Sequence, residues 1–352
     1  MTVQRPPVRV AVVGAGAIAQ VVHLPILSRM RGVEIAAVSD KDLGTARTIA
    51  ARYGIARAAK GPDEIWADDS VQAVVVCTPS SRHEEHVTGS LQAGKYVLCE
   101  RPLALSADAV GRILDVEGAS ERLLVAMNLR YRPDSRALRS FVQSGELGDV
   151  YYLKAGWLNR AKPIGRSWRE RRAQGGGALM ELGIQMLDLG LWILGYPRPE
   201  RVTAHLHRAP GSEVEDAAAL LLRLEGDRLI NLEVTWNLLA KRDRQFLHLL
   251  GSLGSGTLSP LAVNREMATG LVDVTPKLPA GGENVFTASY RNELQHFVEV
   301  VRGQKRPEPP DEHVRLMRIL EAAYRSAEEG REVEVEPAKE GGRGRKKGSN
   351  GT

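Results

Sequence analysis

Short apolar, β-branched runs alternate with amphipathic stretches along the first third of the chain. Residues 8–14 (VRVAVVG), 33–40 (VEIAAVSD), 73–78 (AVVVCT), 96–99 and 123–127 are such runs. Strands covered by helices on both faces of a parallel sheet read this way, without polar alternation. Between them, residues 17–31, 45–53, 83–93 and 106–117 carry helical spacing; Gly94 closes one of these helices and Ser106 opens the next. The alternation predicts a doubly wound sheet with right-handed crossovers. After about residue 128 the pattern changes. A helix over 136–143 precedes strands at 150–157, 201–207, 217–224, 230–237 and 248–251, several with one apolar and one polar face. Helices are expected at 178–194, 290–302 and 312–329. The expected fold class is an α/β Rossmann domain at 1–128 with an α+β domain at 129–336, its sheet open and mostly antiparallel. An open sheet face needs cover, which predicts a homodimer or homotetramer. No internal repeat is visible.

The length of 352 residues suits two domains. With 43% hydrophobic and 26% charged residues, the composition is that of a globular protein and not of a disordered chain. No apolar run reaches the ~18 residues of a membrane helix, and the first nine residues lack the apolar core of a signal peptide. Cys77 and Cys99 sit in apolar runs and suggest buried thiols, so a cytoplasmic location is expected. The net charge of +5 is misleading as a guide to partners. Residues 337–352 carry five Lys and Arg against Glu340, so four of those charges belong to a Gly-rich tail. Such a tail is expected to be disordered and solvated, and a nucleic-acid partner is not expected.

Residues 14–19 read Gly-Ala-Gly-Ala-Ile-Ala, a G-x-G-x-x-A turn between the first strand and the first helix. Gly14 permits the tight turn, Gly16 lets a pyrophosphate approach the backbone, and Ala19 keeps the helix close to the strand. The N–H groups of Ala17 and Ile18 then face the phosphates at the helix start. Asp40 ends the second strand, where a carboxylate accepts hydrogen bonds from the adenosine ribose and repels a 2′-phosphate. This context implies a dinucleotide, NAD by preference, while Lys41 leaves NADP open. Thr78, Pro79, Glu100 and Arg101 fall at carboxyl ends of strands, where ligands of open α/β sheets lie.

Four segments together resemble the Gfo/Idh/MocA oxidoreductases: GAGAIAQ with HLP at 14–25, AGKYVLCERPLAL at 93–105, FVQSGELGDV at 141–150, and GGGALMELGIQMLDLGLWILG at 175–195. The likeness runs over about residues 8–335. It implies an NAD- or NADP-dependent oxidoreductase acting on a hydroxyl or keto group of a sugar, polyol or related carbonyl compound. It places the substrate between the Rossmann crevice and the second sheet, and His83 near the nicotinamide. Tyr131, Lys162, Trp168 and Arg169 lie in the segments that border the substrate, as do Tyr152 and Lys154; for Tyr131, Tyr152, Lys154 and Lys162 packing or exposure is the plainer reading. Asp188 is expected to position its helix. His23 is expected to pack, and His83 with His86 does not have the spacing of a metal site.

The chain departs from the family at the chemistry. Arg101, Glu181 and Gln185 stand where the family has Lys, Asp and His. Hydride transfer from an alcohol needs an acceptor for the hydroxyl proton. A guanidinium stays protonated and an amide does not exchange protons near neutrality, so neither Arg101 nor Gln185 can be that acceptor. Glu181 can titrate, and its spacing of four puts it on one helix face with Gln185. The expected assignment is Glu181 as acid/base, Arg101 as electrostatic clamp and Gln185 as orienting group. The alternatives are a lyase, hydrolase or epimerase that uses NAD for transient redox, and a nucleotide-binding sensor without turnover. Another reading pairs Glu181 with Arg101 as a structural contact.

Overall fold

The computed structural model describes residues 6–160, 168–278 and 284–337. Lys162, most of the loop after residue 160 and the basic tail beyond residue 337 lie outside the described residues.

Two sheets organise the chain. The first has six parallel strands, β1 (Val8–Val13), β2 (Val33–Ser39), β3 (Arg57–Ala59), β4 (Ala73–Val76), β5 (Tyr96–Glu100) and β6 (Leu123–Ala126). Their order is β3-β2-β1-β4-β5-β6. The order reverses between β1 and β4, and ligands of such sheets sit beyond the strand ends at that point. β4 and β6 are buried at every residue, as expected for strands covered on both faces. The edge strand β3 escaped the sequence pattern because three residues, Arg-Ala-Ala, show no periodicity.

The second sheet has nine strands: β7 (Val150–Arg160), β8 (Pro199–His207), β9 (Ala217–Leu224), β10 (Arg228–Leu238), β11 (Arg244–Gly251), β12 (Gly254–Leu258), β13 (Ala262–Met267), β14 (Gly270–Asp273) and β15 (Val333–Glu334). Their order is β14-β13-β12-β11-β7-β10-β9-β8-β15. Pairing is antiparallel except between β7 and β10. β12 to β14 were not expected from the sequence. All three are short, and β12 carries two glycines in tight contact: a Cβ on Gly254 or Gly256 would lie 2.4 Å from Asn264 O or Leu138 Cδ1. Small residues that permit close approach erase the apolar alternation by which a strand is read.

The helix Ile184–Ile193 crosses the inner face of this sheet, and every one of its residues is buried. The opposite face carries Leu221 and Leu250, 44% and 41% exposed.

Two connections fix the sheets relative to each other. The helix Val285–Val301 sends Leu294, Phe297 and Val298 against the β1 side of the first sheet, although it follows the second sheet in the chain. Arg130, in the turn after β6, is buried and donates to Asp188 from Nε and Nη2 at 2.8 and 2.5 Å, and to Glu312 from Nη1 at 2.8 Å. The Tyr196 hydroxyl donates to the same Asp188 at 2.5 Å. Asp188 therefore positions its helix. Removing either member of such a buried pair typically costs about 3–5 kcal/mol.

Candidate active site

Gly14 sits at φ +97°, and a Cβ there would lie 2.8 Å from the Cys77 carbonyl and the Thr78 nitrogen. Only glycine accepts both the angle and the approach. Gly16 is exposed and a Cβ there would meet nothing within 4 Å, so the space in front of the helix start is open. Asp40 is held from two sides: Ala15 N donates to Oδ2 at 2.9 Å and Asp42 N to Oδ1 at 3.0 Å. The carboxylate is thereby locked beside the glycine turn. Lys41 is exposed. An open helix N-terminus next to a fixed carboxylate fits a pyrophosphate with its ribose.

The first helix bends its ladder. Ala19–His23 is π-helical and Leu24–Leu27 α-helical, with His23 turned inward. Its Nε2 lies 2.7 Å from Glu100 Oε1 at the end of β5. Burial opposes charge on this imidazole, but the Cys77 sulfur and the Glu100 carboxylate beside it outweigh burial and hold its pKa above the usual histidine value. Burial alone would raise the Glu100 carboxyl; His23 outweighs it and holds the group below the usual range. The two form a buried ion pair at the floor of the crevice. Sequence reasoning gave His23 a packing role. The only available signal was a polar residue on an apolar helix face, and its partner is 77 positions away.

The His83 ring is engaged within the protein. Its Nδ1 lies 2.7 Å from Pro102 O and its Nε2 2.8 Å from Thr78 O, and it is 1% exposed. It ties the ends of β4 and β5 together. His86 Nδ1 meets the Thr78 hydroxyl at 2.9 Å. Thr78 and Pro79 remain open at the crevice edge. Among the described residues, no group of three His, Cys, Asp or Glu side chains is placed to hold a metal ion.

The second wall starts at the glycine triplet 175–177. A Cβ on Gly176 would lie 2.1 Å from Arg169 O, and one on Gly177, at φ +118°, would lie 2.2 Å from Glu215 Oε1. That contact is needed because Glu215 accepts from Leu179 N at 3.0 Å and so caps the helix. The helix opens with a π-helical turn, Leu179–Gly183, that carries Glu181. π turns are frequent at functional sites. Glu181 Oε1 lies 3.1 Å from Arg169 Nε, not on Arg101; the carboxylate is 13% exposed and the guanidinium 53%. Gln185 is buried and spends Nε2 on the Glu181 carbonyl at 3.1 Å. Trp168 begins the short turn Trp168–Glu170.

Arg101 is half-buried at the end of β5, and among the described residues no carboxylate or acceptor lies within bonding distance of its guanidinium. Tyr131 is turned into the protein, its ring 5.5 Å from that of His296 and under Arg136. Lys154 and Tyr152 lie on the outer face of the second sheet, bound to Glu233 at 3.3 Å and Asn231 at 3.3 Å. One further group was not singled out from the sequence. Glu293, in the helix Val285–Val301, is fully buried and neither carboxyl oxygen has a partner. Burial, reinforced by Glu100, pushes its pKa well above the usual range.

A parallel sheet with a dinucleotide turn, facing a mixed sheet across a crevice, is the architecture of a two-domain nucleotide-dependent oxidoreductase. The chain belongs to the GFO/IDH/MocA family: residues 8–127 match the oxidoreductase family's NAD-binding Rossmann fold, and residues 135–257 match the family's C-terminal domain. It is an NAD(P)-binding oxidoreductase by family and fold. The D-glucoside 3-dehydrogenase of Escherichia coli is 27% identical over 94% of this chain and 98% of its own length. The inositol 2-dehydrogenase 2 of Saccharopolyspora erythraea is 29% identical over 94% and 96%. Among solved structures, GenD2 from gentamicin A biosynthesis, in complex with NAD, is 27% identical, with a TM-score of 0.81 over 95% of this chain and 97% of that one.

Proposed function

We propose that this chain is an NAD-dependent oxidoreductase acting on a hydroxyl or keto group of a sugar, polyol or related carbonyl compound. The observation that carries the reading is the open glycine turn beside the fixed Asp40 carboxylate. That carboxylate disfavours a 2′-phosphate, which favours NAD over NADP. The relatives named for glucosides and inositol support the substrate class. Residues 1–128 hold the cofactor and residues 129–336 form the substrate wall. Copies associate as a homodimer or homotetramer through the outer sheet face with Leu221 and Leu250. The protein works in the cytoplasm with Cys77 and Cys99 as free thiols.

The bound nicotinamide supplies the hydride acceptor or donor. Glu181 takes the hydroxyl proton as hydride leaves carbon, and returns it in the reverse direction. Arg169 keeps the Glu181 carboxylate in place. Gln185 orients the substrate, and Arg101 acts as an electrostatic clamp on it. The engagement of Glu181 by Arg169 and of Gln185 by its own helix also favours a second reading, a nucleotide sensor without turnover.

Glu181→Gln separates the two. General-base loss lowers turnover by about 100- to 10,000-fold. The pair is open to water on its Arg169 side, and glutamine keeps the shape and an acceptor oxygen, so the melting temperature changes little. A large fall in melting temperature, with turnover unaffected or absent in both forms, contradicts the catalytic assignment.

A further inference from the structure

The charges around the crevice do not balance. The Glu100 carboxylate is cancelled by the His23 imidazolium 2.7 Å away. The Glu181 carboxylate is cancelled by Arg169 at 3.1 Å. Glu293 is buried without a hydrogen-bond partner among the described residues, and burial opposes charge on its carboxyl. Arg101 lies near enough to Glu100 and Glu293 to feel them, but its guanidinium has no ion pair or hydrogen bond among the described residues. Three other half-buried arginines meet carboxylates, Arg132 on Asp134, Arg265 on Glu146 and Arg318 on Asp108, while Arg122, Arg139 and Arg302 donate to backbone carbonyls.

Resting on the oxidoreductase reading above, we propose that the substrate is a sugar acid, and that Arg101 binds its carboxylate in the crevice. A planar guanidinium offers paired donors that match the two carboxylate oxygens, which a lysine ammonium cannot do. Of these crevice charges, Arg101 carries the one left unpaired among the described residues, which a carboxylate monoanion matches where a phosphate dianion would overshoot. An uncharged sugar leaves Arg101 desolvated against no anion, and the loss of that partner penalises the neutral analogue. Aldonates and uronates satisfy both requirements, a carboxylate and a secondary hydroxyl that can be oxidised.

The test uses the full-length protein with NAD and matched compounds: glucose against gluconate and glucuronate, with glucose 6-phosphate as a third arm. Nicotinamide reduction gives kcat/KM, and the fluorescence of NADH-loaded protein gives binding of each compound without turnover. A charge-assisted contact predicts acids favoured over glucose by roughly 10- to 100-fold. Arg101→Met should collapse that ratio toward one, and Arg101→Lys should keep part of it. Glucose equal to or better than the acids overturns the inference, as does an unchanged ratio in Arg101→Met. A preference for the phosphate ester overturns the commitment to a carboxylate. Acids that bind in an Arg101-dependent way without turnover support the inference while the redox reading fails. Turnover of glucose with no acid binding does the reverse, and neither binding nor turnover sinks both.

Discussion

The two walls of the crevice are built on different principles. On the cofactor side, backbone geometry does most of the work: Gly14 accepts a close approach, Gly16 leaves open space, and backbone N–H groups fix Asp40. On the wall proposed to receive the substrate, side chains carry the proposed chemistry, and several are engaged within the protein: Glu181 with Arg169, Gln185 with its helix. A scaffold held by backbone constraints can keep its cofactor site while the chemistry opposite changes residue by residue.

The largest effect should come from the connection between the walls. Arg130→Met leaves Asp188 buried and unpaired and should lower unfolding free energy by about 3–5 kcal/mol. Denaturant titration checks this, and Arg130→Met with Asp188→Leu should recover much of the loss. Gly14→Val tests the cofactor wall alone. A Cβ at 2.8 Å from three backbone atoms, at φ +97°, should cost about 3 kcal/mol and abolish NADH binding in a fluorescence titration. A smaller change is expected for Asp40→Asn. Loss of the charged acceptor should weaken NAD binding about 10-fold and NADP binding less, read by paired titrations.

A separate effect is a pH dependence remote from both walls. Burial, with Arg130 nearby, holds the His313 imidazole down at about 3, from an ordinary 6.5. The unfolded chain therefore takes up the proton first as pH falls. The stability tied to neutral His313 is complete above pH 6.5 and is lost progressively toward pH 3. His313→Gln should flatten that part of a plot of denaturation midpoint against pH.

What could be read from the sequence follows the same division. The glycine turn, Asp40 and the fully buried strands were legible because each depends on local conformation or local polarity. The π turns were not, since Ala19–His23 and Leu179–Gly183 keep helical composition. The pairs His23–Glu100 and Arg169–Glu181 were not legible either. They join residues brought together by packing, and no spacing rule connects position 23 to position 100. Glu293 lay in a helix assigned to the second half of the chain, and its burial comes from that helix returning to the first sheet. Strands β12 to β14 were hidden by short length and, in β12, by glycine, whereas the helix at 178–194 was plain from its dense apolar residues, interrupted only by Glu181, Gln185 and Asp188 among polar positions.

The decisive measurement is a nicotinamide absorbance assay on the purified protein, offering NAD and NADP with sugars, polyols and sugar acids, and the reduced cofactors with the corresponding ketones. Steady turnover that depends on added substrate, faster with NAD than with NADP, is the predicted result. Tight cofactor binding in the same sample with no turnover on any compound would contradict a working hydride transfer built on Arg101, Glu181 and Gln185.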